Sequence, residues 1–101
     1  MESIKEKFKD INRRWKYTGQ GIFSNVGGEV VILNLSTNHY YGLNETGTII
    51  WESIEDEPNI QDLIDKVMAE YEIDKEACLN DVQSILQQLE SLDLITEIVE
   101  S

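Results

Sequence analysis

The chain has 101 residues, 41% of them hydrophobic and 28% charged, which fits one globular domain with one modest core and neither a disordered nor a membrane-embedded chain. Twenty acids face eight bases for a net charge of -12, a balance that argues against a nucleic-acid binder, whose affinity rests on phosphate contacts. One cysteine and one histidine leave no internal disulfide, no Cys/His zinc set and little material for nucleophilic catalysis, so binding is expected ahead of chemistry.

The first sixteen residues carry six bases against three acids, and the remaining eighty-five carry two bases against seventeen acids. Ile4, Phe8, Ile11 and Trp15 recur at steps of four, three and four, which predicts a short amphipathic helix over residues 2–16. Residues 1–18 are therefore read as a basic N-terminal extension with helical character, and residues 19–101 as the domain proper. The charged N-terminus has no apolar segment like that of a signal peptide, and no stretch is long enough to span a bilayer. A free Cys78 fits a reducing, cytoplasmic setting.

Residues 21–26 read as a strand, and Gly27-Gly28 suits a two-residue hairpin. The β-branched run Glu29–Leu35 is the strongest strand signal in the chain. Ser36-Thr37-Asn38 is a turn cluster, and His39-Tyr40-Tyr41-Gly42-Leu43 reads as a third strand. The period then changes from 2 to 3.6. Asn44 caps a short helix carrying Ile49, Ile50, Trp51 and Ile54, which ends at the acidic run Glu55–Glu57 and Pro58. Asn59 caps a second helix with Ile60, Leu63, Ile64, Val67, Met68 and Tyr71. Asp74 caps a third, with Leu79, Val82, Ile85, Leu86, Leu89 and Leu92 on one face. Residues 94–99 either add a short strand or trail off. Three antiparallel strands followed by three helices make an α+β fold, winged helix-turn-helix-like, with the sheet as the wing. The exposed side of the third helix holds Asn80, Asp81, Gln83, Ser84, Gln87, Gln88 and Glu90, so the basic footprint that DNA requires is absent.

No catalytic constellation stands out. With acids this abundant, any carboxylate pair is read as solvated surface. His39 has no recognisable partners, Cys78 is read as core filling, and the glycines form no phosphate loop. No catalytic, cofactor-binding or metal-binding residue is therefore expected. What remains is the backbone. In meander order His39–Leu43 is a sheet edge, whose unpaired N–H and C=O groups invite another strand. A proline at Tyr41 is expected to disrupt such pairing. Asp81, Ser84, Ile85 and Gln88 lie toward one flank of the third helix and would form the other wall of a peptide groove. On physical grounds alone, an edge blunted by its short length beside an ordinary amphipathic helix is an equal reading.

Residues 29–95 resemble the PqqD-like family, also called RiPP recognition elements. The resemblance rests on Leu33-Asn34-Leu35, Tyr40, Leu43-Asn44, Gly47 and Ile50-Trp51, followed by Leu63 on the second helix and Asp81-Val82 before a leucine-rich helix. Asn34 stands where the family more often has aspartate. The resemblance implies a winged helix-turn-helix-like domain that performs no chemistry. Such a domain binds the leader of a ribosomally made precursor peptide as a strand beside the third strand, packed on the third helix. It is most like the free-standing leader-binding proteins of lasso peptide biosynthesis, which implies a leader peptidase and an ATP-dependent cyclase as further partners. The implied peptide-binding residues are His39, Tyr40, Tyr41, Gly42, Leu43, Asp81, Ser84, Ile85 and Gln88. Neither nucleic acid nor membrane is expected as a partner, and the expected state is a monomer or weak homodimer. The alternatives are an activating or scaffold subunit of a peptide-modifying enzyme with no affinity of its own for free leader, or a recognition element of another RiPP class.

Overall fold

In the computed structural model, residues 13–99 are described. The alternation of Val30, Ile32 and Asn34 sets one face of the sheet toward the core, and all three are fully buried. Strand β1 is Trp15–Tyr17, β2 is Gly21–Val26, β3 is Glu29–Asn34 and β4 is His39–Gly42. Helix α1 is Glu45–Ser53, followed by a 3-10 turn at Ile54–Asp56; α2 is Ile60–Glu70, α3 is Lys75–Ser91, and β5 is Ile95–Glu97. Strands β2, β3 and β4 form an antiparallel sheet in that order, with β3 central. The expected three strands followed by three helices are therefore present, and the winged description fits them. Gly27 and Gly28 both adopt positive φ, 63° and 96°, the geometry a two-residue hairpin needs to match strand twist.

Local chemistry explains the helix starts. Asn44 caps α1 by accepting from the Gly47 amide at 2.8 Å. A Cβ at Gly47 would stand 3.2 Å from the Leu43 Cβ and 3.3 Å from that capping oxygen, so any larger residue there would push on Leu43 and on the cap. Asn59 and Asp62 form a reciprocal capping box at the start of α2. Asp74 precedes α3 without a side-chain capping bond. The apolar stripes of the helices meet the core face of the sheet, and Ile50, Trp51, Leu63, Val67, Cys78, Val82, Leu86 and Leu89 are all buried there. Burial pushes the Cys78 thiol up, with Asp81 adding to the shift, which fits a core-filling cysteine.

The structure departs from the expected N-terminal extension. The helical reading of residues 1–12 lies outside the described residues, but Trp15 sits in a strand. Strand β1 pairs antiparallel with β5, with Trp15 opposite Glu97 and Tyr17 opposite Ile95, so the open question at residues 94–99 resolves as a strand. Trp15 is 3% exposed. Arg13 pairs with Glu97 at 2.8 Å, and Arg14 Nε donates to the Glu57 carbonyl at 2.8 Å. The Trp15 amide donates to the Pro58 carbonyl at 3.2 Å. Residues 13–18 are therefore part of the body, and the boundary placed at residue 18 falls inside it. The physical reason is that the step from Ile11 to Trp15 carries a helical period, whereas the decisive term is burial of one large aromatic against distant chain.

Candidate functional site: the β4 edge

The hydrogen-bonding phase of β4 follows from its register. Ile32 pairs with Tyr41 and Asn34 with His39, and the Leu43 amide donates to the Val30 carbonyl at 2.8 Å. In an antiparallel ladder the hydrogen-bonded pairs alternate, so His39, Tyr41 and Leu43 direct their backbone groups at β3. Tyr40 and Gly42 direct theirs outward. Because β4 ends the sheet among the described residues, those N–H and C=O groups are available to another strand.

The side chains divide by face. His39, Tyr41 and Leu43 share the core-side face with Asn34, Ile32 and Val30. Leu43 packs on the core, Tyr41 is half-buried and His39 is exposed. Tyr40 and Gly42 lie on the opposite face, and Tyr40 is 72% exposed.

On α3, Ile85 is half-buried against the core, while Asp81, Ser84 and Gln88 are exposed. The five β4 residues and the four α3 residues are thus two separate sets, and no hydrogen bond or ion pair among the described residues joins one to the other. Asn34 sets their spacing. It is fully buried; its amide donates to the Leu92 carbonyl at the end of α3 at 2.8 Å, and its carbonyl accepts from the Ser36 amide at 2.9 Å. One side chain thereby ties the β3–β4 turn to the C-terminus of α3. Sequence reading missed this role, although a polar residue between Leu33 and Leu35 at the end of an apolar strand was the available signal.

Two clefts among the described residues lie away from this edge. A cleft of about 370 Å³ is bordered by Arg13, Trp15 and the Gln83–Glu90 flank of α3, away from Ile85. Another of about 620 Å³ lies between α1 and α2, bordered by Glu45, Glu52 and Tyr71. Neither touches β4. A strand-accepting edge needs no cavity, only unpaired backbone and adjacent side chains. No group of three or more His, Cys, Asp or Glu residues is placed to hold a metal among the described residues, and none of their helices is long and apolar enough to cross a membrane.

Comparison with known proteins places this geometry. No curated protein matches the chain. Among solved structures, one with 27% identity and a TM-score of 0.75 covers 84% of this chain and 99% of its own: TbiB1 in complex with the TbiA(beta) leader peptide. A second, lasso peptide synthetase B1 complexed with the leader peptide, has 17% identity and a TM-score of 0.72 over 81% of this chain and 96% of its own. That second likeness is one of fold. The sequence profile of PqqD, coenzyme PQQ synthesis protein D, matches residues 29–95. This is the stretch that builds β3, β4, the three helices and the start of β5, so the chain belongs to the PqqD family.

Proposed function

We propose that this chain binds the leader segment of a ribosomally made precursor of the lasso class. The leader adds as a strand to β4 and packs against the Ile85 flank of α3, and the chain delivers it to a leader peptidase and cyclase without performing chemistry. The observation that carries this reading is the open β4 edge, in a chain similar to a protein solved with a leader peptide. Strand addition gives affinity through the backbone groups of Tyr40 and Gly42. Specificity comes from side chains facing Tyr41, Leu43 and Ile85 on one side and Tyr40 on the other. The strongly acidic body favours a lysine-bearing leader and speeds its capture. A ribosomal product meets such a protein in the cytoplasm.

The test is a titration of the protein into a fluorescein-labelled synthetic leader of the precursor encoded beside its gene, read by anisotropy at two salt concentrations. The expected result is saturable binding that weakens at the higher salt, with a scrambled peptide inactive. Gly42→Pro removes one outward donor while sparing the ladder to β3. It is expected to keep the wild-type melting temperature and weaken binding by about tenfold or more. Unchanged binding by a folded Gly42→Pro protein overturns strand addition. No binding by the wild type overturns leader recognition and turns attention to an activating or scaffold role.

A further inference from the structure

The sheet has a second face, which the helices leave uncovered. They pack on the other side, where the Val30 amide donates to Thr48 Oγ1 at 2.9 Å and the Phe23 ring meets Trp51 edge-on. Away from the helices the register places Ile22, Leu33 and Tyr40 in one cross-strand row, Ser24, Val31 and Gly42 in the next, and Val26 beside Glu29 at the hairpin end. Ile22 is 59% exposed, Val26 63% and Tyr40 72%, and Val31 and Leu33 between them are half-buried. In a chain of net charge -12, the only charged residue that β2, β3 and β4 place on this face is Glu29, at its corner. Depletion of charge around aromatic and aliphatic side chains marks the centre of an interface.

Area and charge name the occupant. One tyrosine and the aliphatic side chains of three strands offer roughly 500 Å² a side, so two such faces together bury about 1,000 Å², the lower bound of a specific interface. A sheet face also complements itself. Two sheets stack about 10 Å apart with their strands aligned to within about 30°, and a two-fold axis between them uses the same side chains on both copies. Glu29 apart, the acids of the described residues lie on the helices, their connections and β5. They sit behind the sheet, at a distance that physiological salt, with a Debye length of about 8 Å, largely screens. A basic partner would be drawn to those acids and not to this face. What the face admits is another surface without charge, and a second copy brings one.

We propose that the outer face of β2, β3 and β4 is a self-association surface, on which a second copy of the chain stacks its own outer face. The pair is closed, small and reversible, with a dissociation constant on the order of 100 µM. Stacking face to face leaves both β4 edges open, so the inference stands independently of leader binding.

The experiment is sedimentation equilibrium of the full chain over about a hundredfold range of concentration centred near that value, at two salt concentrations. The expected result is a monomer that passes to a dimer as concentration rises. The dimer is expected to tighten at the higher salt, as repulsion between the acidic bodies is screened. Ile22 is largely exposed, so Ile22→Lys is expected to keep the wild-type melting temperature and to weaken the dimer by about tenfold or more. That substitution lowers the net negative charge, so the weakening cannot come from added repulsion between the acidic bodies. Three outcomes each overturn the proposal: a wild-type chain that stays monomeric throughout, an Ile22→Lys chain that dimerises as the wild type does, or a dimer that loosens at the higher salt.

Discussion

Tyr17 shows how much a single side chain near the N-terminus contributes. Its hydroxyl donates to the Trp51 carbonyl at 2.5 Å, and its ring lies 4.7 Å from Trp51 and 5.7 Å from Phe23 between centroids. Burial, with Glu55 and Glu52 nearby, pushes its pKa up from 10.0 to about 12. The folded state therefore prefers the neutral phenol. The stability tied to this preference is fully present below the unfolded value and is lost as pH rises toward the folded one. Tyr17→Phe is expected to cost about 1 kcal/mol at neutral pH through the lost hydrogen bond. It should also flatten the decline in melting temperature between about pH 10 and pH 12, read by circular dichroism. Tyr71, pushed up to about 12 chiefly by donating to Glu45 at 2.7 Å, sets a parallel alkaline limit, so the flattening is partial. Nothing in the sequence singled out Tyr17, because its partner carbonyl lies 34 positions away and belongs to the backbone, which leaves no residue-type signature.

At the scale of elements, β4 and α3 are held in relation by Asn34. Asn34→Ala is expected to destabilise by about 2 kcal/mol, because it strips the Leu92 carbonyl and the Ser36 amide of their partner in a buried setting. Thermal melts check the stability, and leader binding measured well below the transition should also weaken as the β3–β4 turn loosens from α3. The ladder phase likewise corrects the sequence-based choice of Tyr41 for a proline. The Tyr41 N–H faces Ile32 within the sheet, so proline there would damage the fold, whereas Gly42 presents its N–H to the outside. The hairpin at Gly27-Gly28, the caps at Asn44 and Asn59 and the 3.6-residue stripes were legible because each is specified within a few residues. Strand β1 was not, and β5 was legible only as one of two readings of residues 94–99. Each is three residues long, with no alternation to read and no connecting turn. The edge position of His39–Gly42 was legible from strand order, whereas the outward phase of Tyr40 and Gly42 needed the register.

For the whole molecule, the clasp of β1 on β5 decides what counts as the domain. A chain beginning at Gly19 would lose Trp15, Tyr17 and the partner of β5, leaving Ile95 and Leu94 uncovered. Loss of one buried tryptophan alone costs about 3–5 kcal/mol, a large share of the stability of a domain this size. Such a chain is expected to be unfolded or to melt far below the full chain, as calorimetry would show, even though it contains the entire PqqD-matched stretch. The asymmetry of charge along the sequence also takes a different form in three dimensions. Arg13 and Arg14 neutralise Glu97 and Glu57 within the body, so part of the basic charge near the N-terminus is already matched.

The β1–β5 pair has a further consequence for tethering. The Ile98 amide donates to the Arg14 carbonyl at 2.8 Å, so the two ends of the described chain leave the body side by side. Their exit adjoins the turn before α2, where Arg14 bridges to Asn59 and the Trp15 amide donates to the Pro58 carbonyl. An enzyme fused to either terminus would hang from the same point, and its local concentration at the β4 edge would depend on linker length, not on which terminus was chosen.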